Sequence, residues 1–228
     1  MTDPAPSEPP AALAAGLAAA LRARVDTLHR TAERSGIVAA ILTGRASRED
    51  YARLLRNLLP AYQAMEAGLE RHRHRPALGP LAVPGLYRGG AIARDLDALA
   101  GPGWPDMPVL EAAARYARAV EAAAEADGAR LIAHAYTRYM GDLSGGQVMR
   151  RRLARAMDLP PGALSLYDFP GLGDIDVFKT GYRAAIDAAG HRVADPAAVI
   201  EEAALAFRMN IDVSLAVAAS AGMTAAAC

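Results

Sequence analysis

Residues 135–151 read A-Y-T-R-Y-M-G-D-L-S-G-G-Q-V-M-R-R and carry Gly141, Gly145 and Gly146 beside Asp142, between flanks of helical composition. A glycine inside a helix costs about 1 kcal/mol relative to alanine. A cluster of them therefore calls for a kink, a close helix crossing, or a backbone laid against something flat. Arg138, Gly141, Asp142 and Gly145 stand at i, i+3, i+4 and i+7, the spacing of one helical face. Such a face offers a planar ligand two positions without side chains and a carboxylate able to reach over it. The same letters also suit a tight crossing with another helix.

Two further groups could do chemistry. In T-L-H-R-T-A-E, Glu33 follows His29 by one turn. A carboxylate at that spacing can receive the imidazole N–H and turn the other ring nitrogen toward a metal. Similar pairs are commonplace on solvated helices. Arg22 lies two turns earlier, nearly in line, where a cation could meet a ligand carboxylate. In F-K-T-G-Y-R, Lys179, the sole lysine, and Arg183 share a face beside Tyr182. They suit an anionic ligand edge or a solvated basic surface. Of the other histidines, His72 and His74 read as a solvated patch at a helix end. His191 reads as exposed, and His134 stays ambiguous.

Leu143–Gln147, L-S-G-G-Q, equals the signature of ABC-transporter ATPases. That chemistry needs a phosphate-cradling loop ending in Gly-Lys, and no Gly-Lys pair occurs in the chain. The nucleotide reading fails. With 25 basic and 25 acidic side chains the net charge is zero, so no global attraction to nucleic acid or acidic membranes is indicated. At 228 residues, 53% hydrophobic and 22% charged, the chain suits one soluble domain with a real core. Its single cysteine, Cys228, excludes a disulfide framework or a zinc cluster and fits a reducing, cytoplasmic setting.

The elements that must position these groups read as helices throughout. Residues 1–10, rich in proline, are expected to be a disordered tail, 11–220 one helical domain, and 221–228 a flexible tail. Helices are predicted over 11–36, from a Ser47/Asp50 capping box to about His72, over 90–99 and over 107–126. One long glycine-bearing helix is predicted from Gly128 to Met157, stopped by Pro160 and Pro161. Two more follow: one capped by Asp174 and ending at Gly190, and one started by Asp195-Pro196 and reaching about Ser220. No alternating strand is found. The expected fold is an all-α, single-domain helical bundle.

Taken in order, L-H-R-T-A-E at 28–33, A-H-A-Y-T-R-Y-M-G-D-L-S-G-G-Q at 133–147, F-K-x-x-Y-R at 178–183 and A-x-x-A-F-x-x-N-I at 203–211 resemble the biliverdin-producing heme oxygenases over nearly the whole chain. The resemblance implies an all-helical fold holding heme b, iron protoporphyrin IX, as both substrate and cofactor. His29 would be the proximal iron ligand, oriented by Glu33. Gly141 and Gly145 would let backbone approach the macrocycle and leave room for O2. Asp142, with Arg138 and Tyr62, would anchor an ordered water network for proton delivery. Arg22, Tyr136, Lys179 and Arg183 would meet the propionates and set which meso carbon is attacked.

Vertebrate members commonly carry lysine at the position of Arg22, so the charge is kept with a different reach. Electrons would come from a separate donor, ferredoxin or a flavin reductase, since no flavin or nicotinamide fingerprint occurs. A bilin-accepting protein is a further implied partner. Neither nucleic acid nor a membrane is expected. A carrier of the same fold is the alternative, but it would need no proton relay. A thiaminase-type hydrolase would need an embedded cysteine, and Cys228 is terminal.

Overall fold

The computed structural model describes residues 14–159 and 162–223. The expected 1–10 tail, the stop at Pro160 and Pro161, and Cys228 with the rest of 224–228 lie outside them. Ten α-helices occur, and no strand is found among the described residues. They are α1 Leu17–Glu33, α2 Gly36–Leu42, α3 Arg48–Arg71, α4 Gly89–Ala100, α5 Glu111–Ala123, α6 Leu131–Ala135, α7 Gly141–Leu143, α8 Gly145–Ala156, α9 Ile175–Gly190 and α10 Pro196–Ser220.

Local sequence signals account for the starts of the longest elements. At α3 the Ser47 hydroxyl accepts from Asp50 N–H (3.2 Å), and Asp50 Oδ2 accepts from Ser47 N–H (2.9 Å), closing the predicted capping box. Asp174 Oδ1 accepts from the N–H groups of Asp176 and Val177 at α9. Asp195 Oδ1 accepts from Ala198 N–H at α10, with Pro196 as its first residue. Each satisfies donors that a helix start leaves orphaned.

α10 is the central element. It packs against α1, α2, α3, α5 and α6 and buries Val199, Ala203, Phe207, Ile211 and Val217. By length and composition it could cross a membrane, yet half of its most apolar window is buried inside the bundle. The buried half of its apolar surface forms part of the core.

Four expectations need correction. The first helix stops at Glu33, and α2 begins at Gly36. Gly36 takes φ +56°, and a Cβ there would meet the Ser214 backbone at 2.5 Å, so only glycine lets α10 approach so closely. α5 starts at Glu111 rather than Met107, because Leu110 N–H is drawn to Asn57 Oδ1 at 2.7 Å.

His72 is not solvated. It is buried, with Nε2 2.8 Å from Ala124 O, while His74 is exposed as predicted. Finally, the glycine-bearing helix is not one piece. α6 passes into a π turn, Tyr136–Met140, then into α7, and the chain leaves helical geometry at Ser144 (φ −114°, ψ −83°) before α8. π turns inside helices concentrate at functional sites.

Candidate functional site

A cleft of about 540 Å³ opens between α1 and the π-turn segment, within the usual size of small-molecule sites. α1 presents Arg22, Asp26 and His29; the opposite wall is Tyr136, Thr137, Gly141 and Gly145. The His29 side chain is 51% exposed, so its imidazole faces open space. Its ring lies 5.9 Å from that of Phe207 on α10. His29 Nδ1 and Glu33 Oε1 are 3.7 Å apart, too far for a hydrogen bond. The expected orienting bond is therefore not made: Glu33 is half-exposed and its carboxylate is left to solvent.

The three clustered glycines divide by role. A Cβ at Gly141 or Gly145 would find nothing within 4 Å, so both face the cleft. A Cβ at Gly146 would meet the Tyr167 ring at 2.8 Å. Gly146 thus serves the helix-crossing reading, and the other two serve the ligand surface.

The expected shared stripe is split as well. Arg138 and Asp142 stand at its far border and turn into the core instead of the cleft. Asp142 is 5% exposed, and Tyr62 on α3 donates to its Oδ2 at 2.6 Å. Arg138 Nη2 donates to the Tyr62 hydroxyl at 2.7 Å and lies 4.0 Å from Asp142 Oδ1. Asn210 on α10 takes a further bond from Arg138, and the guanidinium also sits over the Tyr62 ring. Burial pushes the Asp142 carboxyl up, opposed by the Arg138 charge, the Tyr62 hydrogen bond and Arg88. Burial likewise pushes the Tyr62 phenol well up. A buried carboxyl whose affinity for a proton is raised, one residue from the cleft wall, is equipped to hold or release a proton there.

At the cleft mouth, burial raises the Tyr136 phenol while Arg22 and Arg183 both pull it down, which brings the two guanidiniums to one side chain. Neither Arg22 nor Arg183 forms an ion pair among the described residues. The cleft's carboxylates are engaged: Asp187 caps α1 through Ala18 N–H at 2.8 Å, and Asp26 pairs with Arg30. The mouth thus offers two guanidiniums without an ion pair, beside two carboxylates that already have partners. Lys179 does not join it; its ammonium is held by Asp176 at 2.7 Å, outside the cleft lining. Tyr182 is also withdrawn, buried and stacked on Phe178.

Sequence reasoning missed Phe207 and Asn210 as site residues, although both stand in the 203–211 motif. Asp187 left no local signal, because its partner lies 169 residues away.

A flat ligand with a metal at its centre and carboxylates on one edge matches this donor set. One imidazole is accessible, two Cβ-free positions face empty space, and two guanidiniums wait at the mouth. The fold and site define an all-helical protein with an arginine-bearing ligand cleft walled by a π-bulged, glycine-bearing helix.

The family model for heme oxygenase matches residues 15–216, and the chain belongs to the heme oxygenase family. It is 33% identical over 199 residues to heme oxygenase 1 of Homo sapiens, covering 86% of this chain and 69% of that protein. It is 33% identical over 200 residues to heme oxygenase 1 of Synechocystis, covering 87% and 83%. The crystal structure of Synechocystis heme oxygenase-1 in complex with heme superimposes with TM-score 0.81 at 30% identity, covering 91% of this chain and 96% of that one. Heme oxygenase-2 of the same organism, in complex with heme and NO, gives 0.84 at 34% identity, covering 89% and 85%.

Proposed function

We propose that this protein cleaves heme b with O2 and externally supplied electrons to biliverdin, CO and ferrous iron. The observation that carries the reading is the pairing of the accessible His29 imidazole with the open backbone surface of Gly141 and Gly145 across one cleft. Heme supplies the iron at which O2 is activated and the macrocycle that is opened.

The chain's own residues do the rest. His29 would hold the iron from α1, with Glu33 near its ring at 3.7 Å. Gly141 and Gly145 admit the macrocycle close to backbone. Asp142 holds a proton beside the opposite wall, fixed by the Tyr62 hydroxyl and the Arg138 guanidinium. Arg22, Arg183 and Tyr136 take the propionate edge and so set the orientation of the ring in the cleft. Lys179, held by Asp176, takes no part at that edge.

The electron donor is ferredoxin or a flavin reductase, and a bilin-accepting protein takes the product. The setting is cytoplasmic, and α10 stays in the bundle. Purified protein incubated with hemin, O2 and ascorbate tests the reading. Decay of the Soret band with growth of a bilin spectrum is expected; heme that stays oxygenated for hours would make the protein a carrier.

A further inference from the structure

α1, the helix that carries Arg22 and His29, is not capped by its own sequence. Its N-cap, Gly16, has no side chain, Ala14 and Ala15 before it offer no side-chain acceptor, and no acid stands in the first turn. A helix start leaves its first N–H groups without partners inside the helix. Here one of them is satisfied from another element: Asp187 on α9 accepts from Ala18 N–H at 2.8 Å, across 169 residues of sequence. The fit around this bond is tight. A Cβ at Gly16 would meet Asp187 Oδ1 at 2.5 Å, and one at Gly190 would meet Leu17 Cβ at 2.8 Å. Gly16, at φ +96°, and Gly190 therefore let the start of α1 seat directly on the end of α9.

The bond stands at the mouth of the cleft, which Ala18, Arg22, Arg183 and Asp187 all line. Arg22 follows Ala18 by four residues, and Arg183 precedes Asp187 by four. Each guanidinium thus lies one turn from the bonded pair, on the same face of its own helix. The two also act together on the Tyr136 phenol between them. Asp187 has a second partner within reach by spacing, since i, i+4 from Arg183 is the separation of an ion pair along a helix. That pair is not formed among the described residues. The carboxylate is turned instead to the start of α1, where the helix dipole favours negative charge.

We propose that Asp187 is a positioning residue for the carboxylate edge of the ligand: by capping α1 from α9 it fixes the span between Arg22 and Arg183 and is itself kept off Arg183. The proposal rests on the heme oxygenase reading for the identity of that ligand, whose two propionates the two guanidiniums meet. Asp187 acts through the arginines and not on the substrate. A fixed span holds the ring in one rotation in the cleft; a loosened one admits others, and with them other meso carbons to attack.

Hydrogen exchange at the Ala18 amide of the heme-free protein reads the cap itself. Asp187→Ala is expected to speed it several-fold. In hemin titrations well below the melting temperature, the same variant is expected to bind about three- to tenfold more weakly, the loss of roughly one charge-assisted contact. Its bilin isomers should be mixed. Asp187→Asn keeps an acceptor for Ala18 N–H and is expected to restore the slow exchange, the affinity and the isomer ratio. Combined with Arg183→Gln, Asp187→Ala should weaken hemin binding by less than the product of the two single effects, because both act on one edge contact.

Unchanged exchange at Ala18 in Asp187→Ala overturns the proposal. Faster exchange with wild-type affinity and isomer ratio overturns it too, leaving Asp187 a helix cap and nothing more. So does Asp187→Asn as impaired as Asp187→Ala, or fully independent losses in the double variant. Should Asp187→Ala fold poorly, Asp187→Ser, whose oxygen stops one bond short, takes its place. Wild type that binds hemin but makes no bilin would refute the proposed function, while exchange and affinity would still decide the role of Asp187.

Discussion

The Tyr62 hydroxyl donates to Asp142 Oδ2 at 2.6 Å, joining α3 to the short α7 across 80 residues of sequence. The bond holds the carboxyl inside the protein, one residue from a wall that Gly141 leaves bare. Proton-holding group and ligand surface are thereby separated by a single peptide. The acid can serve the cleft without occupying it.

Asp142→Asn keeps the shape and an acceptor for Tyr62 but removes the ionisable carboxyl. Hemin binding should be retained, and bilin formation should fall roughly 10²- to 10⁴-fold, the range of general acid–base contributions. Stopped-flow spectra of the reduced, oxygenated complex check this; biliverdin at the normal rate would refute the role.

The same substitution has a pH signature. Burial raises the folded-state affinity of Asp142 for its proton. Its contribution to stability is therefore fully present below the unfolded value, about 3.9, and is lost as pH rises through the higher folded value. Asp142→Asn abolishes that loss, so its Tm relative to wild type should climb with pH across this window. Thermal melts at matched ionic strength measure it. A constant difference would show that the carboxyl does not titrate abnormally.

Replacing His29 by alanine should leave the fold intact, because the imidazole is half-exposed and makes no hydrogen bond among the described residues. Hemin-loaded variant should lose the histidine-ligated spectrum and form no bilin, and added imidazole should restore the spectrum. Identical wild-type and variant spectra would remove His29 from the iron.

Substitutions at the glycines should separate by location. Gly141→Leu fills empty cleft space, so Tm should hold while hemin affinity drops. Gly146→Ala presses on Tyr167 and should cost about 1–3 kcal/mol of stability, as overpacking does. Denaturant unfolding and hemin titration of the two variants read both effects, and a reversed pattern would exchange their roles.

Arg22→Gln and Arg183→Gln should each weaken hemin binding about three- to tenfold, consistent with loss of one charge-assisted bond at a partly solvated edge. Both should mix the bilin isomers. Lys179→Gln should do neither, since Asp176 already holds that ammonium. Chromatography of the bilin products with the titrations distinguishes the three.

Much of the scaffold could be read from the chain alone, because helix starts obey contacts three or four residues apart. Ser47 with Asp50, Asp174, and Asp195 with Pro196 each close a donor that only a nearby acceptor can reach. The helical class and the candidates His29, Gly141, Asp142 and Arg183 followed from spacing and motif.

What spacing could not decide was which side of each helix met what. The Arg138–Gly145 stripe is wide enough to straddle cleft and core, and only packing against Tyr62 and Asn210 turns its acidic half inward. His72 read as solvated and His134 stayed ambiguous, yet both are buried with partners 52 and 68 residues distant. Lys179 and Arg183 share a helix face, and a single neighbouring aspartate removes one of them from the mouth. Short-range order is written in backbone donors and their nearest side chains. Long-range pairing depends on helix phase and crossing, which a π turn and a break at Ser144 reset in the middle of the site.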